Sequence, residues 1–327
     1  MRIRGSILLA AVTTFCLNIS SNDGFDYSSR EDVKEYIEEI SNKHGFNRSQ
    51  LSKLLNSAVY QEKVVRIMNR QPEGTMTWSK YKKMMVSESR IAAGKDFINL
   101  YKEDLKRAED LYGVPAEIIA SIIGIETRYG RITGNIRVLD SLMTLSFNYP
   151  RRSKFFKIQL EEFLLLSREE GFNPESLEGS IAGAMGYGQF MPDSYRKYAV
   201  DFDSDGVRDI LTNPVDAIGS VANFLSKKGN WKPNTPIAVK AESISNETIF
   251  KSQFKPYMTP IELNEIGLKP TESLSGNLKF VPISLEIDEG YEHWLGFDNY
   301  YSLSRYNRSK LYVMAVIEFS RSLSIYL

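Results

Sequence analysis

The stretch from Pro115 to Thr127 constrains this chain more than any other. Ile118, Ile119, Ile122, Ile123 and Ile125 make a helix opening at Pro115 almost continuously apolar, and a helix apolar on every side has to be buried. Proline suits a first helical turn, where its missing N–H costs nothing. Core packing must supply the stability. The only cysteine, Cys16, falls in a segment expected to be removed, which leaves the mature chain no disulfide.

Helical patterns surround that stretch. Ser29 and Asp32 stand where a helix cap would, ahead of Val33, Tyr36, Ile37 and Ile40 at helical spacing. Leu51, Leu54, Leu55 and Ala58 repeat the pattern over residues 50–59. Phe97, Ile98, Tyr101, Leu105, Ala108 and Leu111 share one face of a single helix that stops at Gly113. Further helices are expected over 140–147, 153–169, 214–227 and 311–323. After Trp231 prolines punctuate short pieces such as Ile237–Lys240 and Leu278–Ile283, which reads as a small β-rich insertion. The expected architecture is mainly α: a helical region over 28–112, a core over 113–231, the β-rich insertion over 232–290, and a C-terminal segment, 291–327, returning to the core. That is about two domains for 327 residues.

Arg2 and Arg4 followed by an apolar run from Ile7 to Leu17 read as a secretory signal over residues 1–21, too short to span a bilayer comfortably. Retained, it would tether the chain to a membrane. Lipidation at Cys16 is the other alternative, and the bulky Phe15 before it counts against that reading.

Lys and Arg together number 41, balanced by 41 Asp and Glu, so the basic surplus of a nucleic-acid binder is missing. Two histidines, His44 and His293, and one cysteine cannot build a His/Cys zinc site, and neither HExxH, CxxC nor GxSxG occurs. Enzymatic chemistry would fall to carboxylates, tyrosines and backbone dipoles.

Glu126 is the carboxylate that stands out, near the end of the isoleucine-rich helix. Low-dielectric walls disfavour the ionised form and would suit a general acid. Pairing with Arg128 or Arg131 at the helix end is the alternative. A second segment, Gly179 to Pro192, carries four glycines within ten residues and lets the backbone approach a ligand or another helix closely. In it Tyr187 offers a stacking surface and Gln189 an amide, both suited to a sugar. A third segment sets Asp201, Asp203, Asp205 and Asp209 at positions 1, 3, 5 and 9 of a calcium loop, with Gly206 at 6 and the Val207 carbonyl at 7. Thr212 stands where position 12 usually holds glutamate, and a solvated acidic turn remains the alternative.

Together GIETRYGRITG, NYPRRSKFF, SIAGAMGYGQFMP, DFDSDGVRDILTNPVDAIGSVANF and RYNRSKLYVMAV, in this order over roughly residues 60–319, resemble the lytic murein transglycosylase B family. The resemblance implies a lysozyme-like helical core, with an additional helical domain and a small β domain, around a groove for peptidoglycan strands. It implies cleavage of the β-1,4 bond between N-acetylmuramic acid and N-acetylglucosamine without water, giving 1,6-anhydromuramoyl ends. Glu126 would protonate the leaving oxygen and then act as base on the C6 hydroxyl, with the substrate's own N-acetyl group stabilising the positive charge. Ser180 and Gln189 would lie near the glutamate, Arg151 and Arg152 toward carboxylates of the strand, and Tyr306, Asn307 and Tyr312 along the cleft. A solvated helix start is the plainer reading of the two arginines. Relatives usually carry tyrosine where this chain has Phe224, and they close the calcium loop with a distant aspartate, here Asp216. The implied setting is the periplasm, with a structural Ca2+, no organic cofactor, and cell-wall synthesis proteins open as partners. A lysozyme-type muramidase using the same glutamate and a water, and a non-catalytic glycan-binding scaffold, are the rival functions.

Overall fold

The isoleucine-rich helix, Ala116–Thr127, is sheathed by other helices, and only Glu117 and Glu126 of its twelve residues escape burial. Four helices pack against it: Glu88–Leu100, Lys102–Tyr112, Pro214–Lys227 and Lys310–Leu323. Gly124 permits the closest approach, since a Cβ there would sit 2.6 Å from the Tyr129 ring and 2.7 Å from that of Phe319. The structure, a computed structural model, describes residues 26–69, 76–243, 253–273 and 278–327. The expected signal and Cys16 lie outside the described residues. No helix among those described is long and apolar enough to cross a membrane.

The chain is mainly α-helical, with fourteen α-helices among the described residues, a four-stranded sheet, and a two-stranded ribbon that pairs Ile136–Arg137 with Glu178–Gly179. The helical region before residue 112 divides between two places. Glu31–His44 packs on Arg48–Asn56, and its Tyr36 hydroxyl donates to Lys157 O (3.0 Å) in the helix Ser153–Glu169. Glu62–Asn69 lies on Val138–Asn148, whereas Trp78–Met85 packs on the C-terminal helix.

Three local expectations are corrected. The face running from Phe97 to Leu111 belongs to two helices, because the backbone turns off helix at Tyr101 (φ −115°, ψ 29°), and Leu111 ends up exposed. Arg30, not Ser29 or Asp32, precedes the first helix, and its guanidinium pairs with the Asp32 carboxylate. Pro115 sits at the N-cap of its helix, not within the first turn.

The sheet is antiparallel throughout, in the order Leu268–Pro270, Ala238–Ser243, Tyr291–Gly296, Val281–Glu286. Its third strand lies beyond residue 290, where the sequence reading ended the insertion. Pro282 is tolerated because its strand is an edge. Alternation along the strands sends Val281, Ile283, Leu285 and Trp294 into the main core, while Val239, Ala241, Leu295 and Phe297 form a second small core. Asn299, fully buried, fastens the insertion at its base: its side chain accepts from Lys232 N (2.9 Å) and donates to the carbonyls of Lys232 (2.8 Å) and Thr235 (3.0 Å).

Candidate functional site

Glu126 sits in the last turn of the isoleucine-rich helix, half-buried, and accepts a hydrogen bond of 2.6 Å from the Tyr312 hydroxyl. Tyr312 comes from the C-terminal helix and is itself buried. Its phenol is held well above the usual tyrosine range, first by burial and then by the charge of Glu126, so it donates and does not ionise. The Tyr306 ring lies 6.5 Å from that of Tyr312 and nearly parallel to it, and burial raises its phenol too.

The end of the acid-bearing helix is fixed from two sides. Arg90 Nη1 donates to Gly124 O (2.7 Å), capping the terminal carbonyls. Burial pulls this guanidinium below its ordinary value, and the nearby charge of Arg128 adds to the effect. Thr127, fully buried, donates through its hydroxyl to Tyr187 O (2.9 Å) and accepts from Gly130 N (2.9 Å). The chain then leaves the helix through two left-handed residues, Arg128 (φ 51°) and Tyr129 (φ 61°).

The glycine-rich segment is a tight turn. Met185 and Phe190 exchange backbone hydrogen bonds of 2.9 and 3.0 Å, and residues 186–189 loop between them. Ser180 Oγ accepts from the N–H groups of Ala182 (3.3 Å) and Ala184 (3.0 Å), which shapes the approach to the turn. Gln189 has a left-handed backbone (φ 49°), and its amide donates to Thr133 O (2.9 Å) and Gly186 O (3.0 Å). Gly188 lets Tyr306 come close enough to donate to its carbonyl at 2.5 Å; a Cβ would sit 2.8 Å from that hydroxyl. Tyr187 packs its ring on Gly130.

Beside this turn lies a pocket of about 160 Å3 walled by Phe155, Gln189, Phe224, Lys228, Arg305 and Tyr306 among others. Phe224 is buried between Phe190 (5.4 Å), Tyr198 (5.2 Å) and Tyr306 (4.8 Å). Arg151 and Arg152 are exposed in the short turn Pro150–Arg152, and Arg152 stacks 4.4 Å over Phe155. Asn307 is half-buried next to Tyr306, with its N–H on Leu303 O (3.4 Å).

In the acidic loop, Asp201, Asp203 and Asp216 bring carboxylate oxygens within 4.8 Å of one another. Asp216 is fully buried and accepts from Phe202 N (2.6 Å) and Asp209 N (2.7 Å); burial raises its carboxyl above the usual range. Asp205 and Asp209 lie outside this trio. The first accepts from Val207 N (2.8 Å) and the second from Leu211 N (2.8 Å), and Val207 is exposed. The loop touches the glycine-rich turn where Tyr187 N donates to Ile210 O (3.0 Å).

The family described as the transglycosylase SLT domain matches residues 28–321. The chain belongs to that lytic transglycosylase family. It is 41% identical over 311 residues to membrane-bound lytic murein transglycosylase B of Escherichia coli (strain K12), covering 92% of this chain and 85% of the relative. Lytic transglycosylase SltB1 of Pseudomonas aeruginosa superposes with a TM-score of 0.86 at 42% identity, over 92% of this chain and 99% of that one. The Escherichia coli lytic transglycosylase Slt35, solved in complex with calcium, superposes with a TM-score of 0.85 at 41% identity, over 92% and 95%. Family membership makes this lytic transglycosylase an enzyme of the lyase type.

Three residues around this site carried no separate signal in the sequence. Thr127 stood unremarked inside the Glu126 segment; its signal is a hydroxyl at the helix end beside a glycine. Arg90 and Lys228 reach the site from distant elements.

Proposed function

We propose that this lytic transglycosylase acts on peptidoglycan strands in the periplasm. It breaks the β-1,4 bond between N-acetylmuramic acid and N-acetylglucosamine and leaves 1,6-anhydromuramoyl ends. The observation that carries the reading is the Tyr312 to Glu126 hydrogen bond at the open end of an otherwise buried helix. Glu126 delivers its proton to the leaving glycosidic oxygen and takes one back from the muramic C6 hydroxyl; Tyr312 fixes the orientation of the carboxyl through both steps. Tyr306, Asn307, Phe224 and Tyr187 shape the cleft, Ser180 and Gln189 hold the turn that lines it, and Arg151 and Arg152 face carboxylates of the strand. The secretory pattern at residues 1–21 supports the compartment. Mass spectrometry of digested peptidoglycan tests the reaction: anhydro ends are lighter by one water than the reducing ends a muramidase leaves. Glu126→Gln should lower turnover about 10²–10⁴-fold, the usual worth of a general acid. Reducing ends from wild type would establish the hydrolase, and unchanged turnover in the variant would remove Glu126 from the chemistry.

The acidic loop fits a calcium ion, because three carboxylates at close range are the hard oxygen donors such an ion takes. Asp201, Asp203 and Asp216 would hold it, and Asp205, Asp209 and the Val207 carbonyl complete the loop around them. The ion would neutralise mutual repulsion and supply no chemistry to the glycan. The solved structure of Slt35 with calcium supports this assignment.

A further inference from the structure

Three arginines gather at the end of the acid-bearing helix. Arg90, Arg128 and Arg131 line a pocket of about 90 Å3 together with Ser89, Ala93 and Tyr129, and no acid forms part of its wall. None of the three arginines makes an ion pair among the described residues. Arg128 and Arg131 are exposed, whereas Arg90 is half-buried. Arg90 uses Nη1 on Gly124 O (2.7 Å), but its Nε is shut away from solvent and finds no hydrogen-bond partner among the described residues. The Tyr129 hydroxyl is buried in the same condition. Burial draws the Arg90 guanidinium below its ordinary value and the charge of Arg128 adds to the effect, so the two cations repel each other across the pocket. The helix end supplies only roughly half a negative charge, which Arg90 Nη1 already meets. Tyr187, Gln189, Tyr306 and Tyr312 take no part in the wall, so this pocket is separate from the cleft. Its volume is that of about three waters, too little for a sugar ring and enough for one compact oxyanion.

We propose that this pocket binds a phosphoryl oxyanion through Arg90, Arg128 and Arg131, and that the bound anion locks the end of the helix that carries Glu126. A phosphoryl group brings about −1.5 to −2 charges near neutral pH, which answers more of the three cations than a single carboxylate does. Its oxygens also accept in several directions at once, from the orphaned Nε of Arg90, from the two exposed guanidinium forks and from the Ser89 hydroxyl. Occupancy relieves the repulsion between Arg90 and Arg128 just where the helix makes its last bonds, Arg128 N to Gly124 O (3.1 Å) and Tyr129 N to Ile123 O (3.4 Å). The site is independent of which glycan the cleft takes. Free phosphate and the head of an anionic phospholipid share this chemistry.

Inorganic phosphate is the test ligand, titrated into the full chain by calorimetry in calcium-free buffer at constant ionic strength, with acetate as the carboxylate control. Phosphate should fill one saturable site and acetate none. Hydrogen exchange should slow at the amides of Arg128 and Tyr129 when phosphate is bound, which locates the site. Arg128→Gln combined with Arg131→Gln, both at exposed positions, should weaken phosphate binding about tenfold or more, the worth of charge-assisted contacts. Arg90→Gln should abolish it, and Lys102→Gln, an exposed lysine on the next helix, should leave it whole. Melting curves confirm folding, and the double variant decides the question alone if Arg90→Gln does not fold. An equal response to acetate overturns the phosphoryl assignment. Phosphate binding that survives the double variant, or protection that appears only elsewhere in the chain, overturns the site itself. Vesicles identify the source: cosedimentation with phosphatidylcholine vesicles that contain phosphatidic acid, lost in the double variant and absent with phosphatidylcholine alone, assigns the lipid head, and phosphate binding without cosedimentation assigns the free anion.

Discussion

Tyr312 reaches Glu126 across 186 residues of sequence, and its hydroxyl donates to the carboxyl. Tyr312→Phe keeps the ring and its packing and removes that donor. A hydrogen bond to a charged group is worth about 1.5–3 kcal/mol, so turnover should fall at least tenfold while KM moves little; an unchanged kcat would show that the bond does not orient the acid. Tyr306→Phe acts differently, since it strands the Gly188 carbonyl. The expected cost is about 1 kcal/mol of stability, read from urea denaturation, with a smaller effect on turnover. At this scale the residues themselves revealed the carboxyl, whereas its partner Tyr312 was legible only through the family resemblance, as a residue along the cleft. Glu126 is visible because a charge interrupts an apolar helix, a local pattern; Tyr312, Arg90 and Thr127 matter through contacts that periodicity does not encode. Asp216 was legible only through the family resemblance, because a loop's spacing says nothing of a ligand supplied by the following helix.

Helices and strands were read most accurately where one face is plainly apolar, as in Ser153–Glu169 and Pro214–Lys227. The reading failed at Tyr101, where two helices meet without proline or glycine to mark the break, and at Tyr291–Gly296, whose Glu292 and His293 disguise a central strand. Close helix packing yields a test at Gly124. Gly124→Ala places a methyl against Tyr129 and Phe319, and overpacking of this kind costs about 1–3 kcal/mol, a fall of several degrees in melting temperature by scanning calorimetry. A second test concerns the joint between Ser153–Glu169 and Pro192–Tyr198, where Arg196 bonds to Glu169 at 2.6 and 2.8 Å and also to Glu162. The hydrogen bond to Arg196 lowers the Glu169 carboxyl, with burial opposing. Its stabilising contribution is therefore complete above the unfolded value, about pH 4.3, and is lost as pH falls through the lower folded value. Glu169→Gln should flatten the decline of melting temperature below about pH 4. Identical slopes would show that the pair contributes nothing, as many partly exposed pairs do.

Across the whole molecule, the acidic loop, the glycine-rich turn and the acid-bearing helix form one connected path. Asp216 accepts from Asp209 N; one residue on, Ile210 O accepts from Tyr187 N, and Tyr187 O accepts from Thr127. Calcium should therefore raise the melting temperature of the entire cooperative unit, and Asp201→Asn with Asp203→Asn should abolish the shift. Equal responses in wild type and variant would rule out the loop as the site. The mainly helical architecture and the β-rich insertion were both apparent in the sequence, but the sheet's double role was not, because which strand face meets the main core depends on how the insertion folds back. Asn299 governs that return. Where the chain departs at Lys232 and comes back at Asn299, one side chain clasps both ends with three hydrogen bonds. The polypeptide between them is consequently a closed detour: residues gained or lost along its outer edge change the size of the detour and not the position of its gate. Length added on that edge should therefore leave Glu126 where it is.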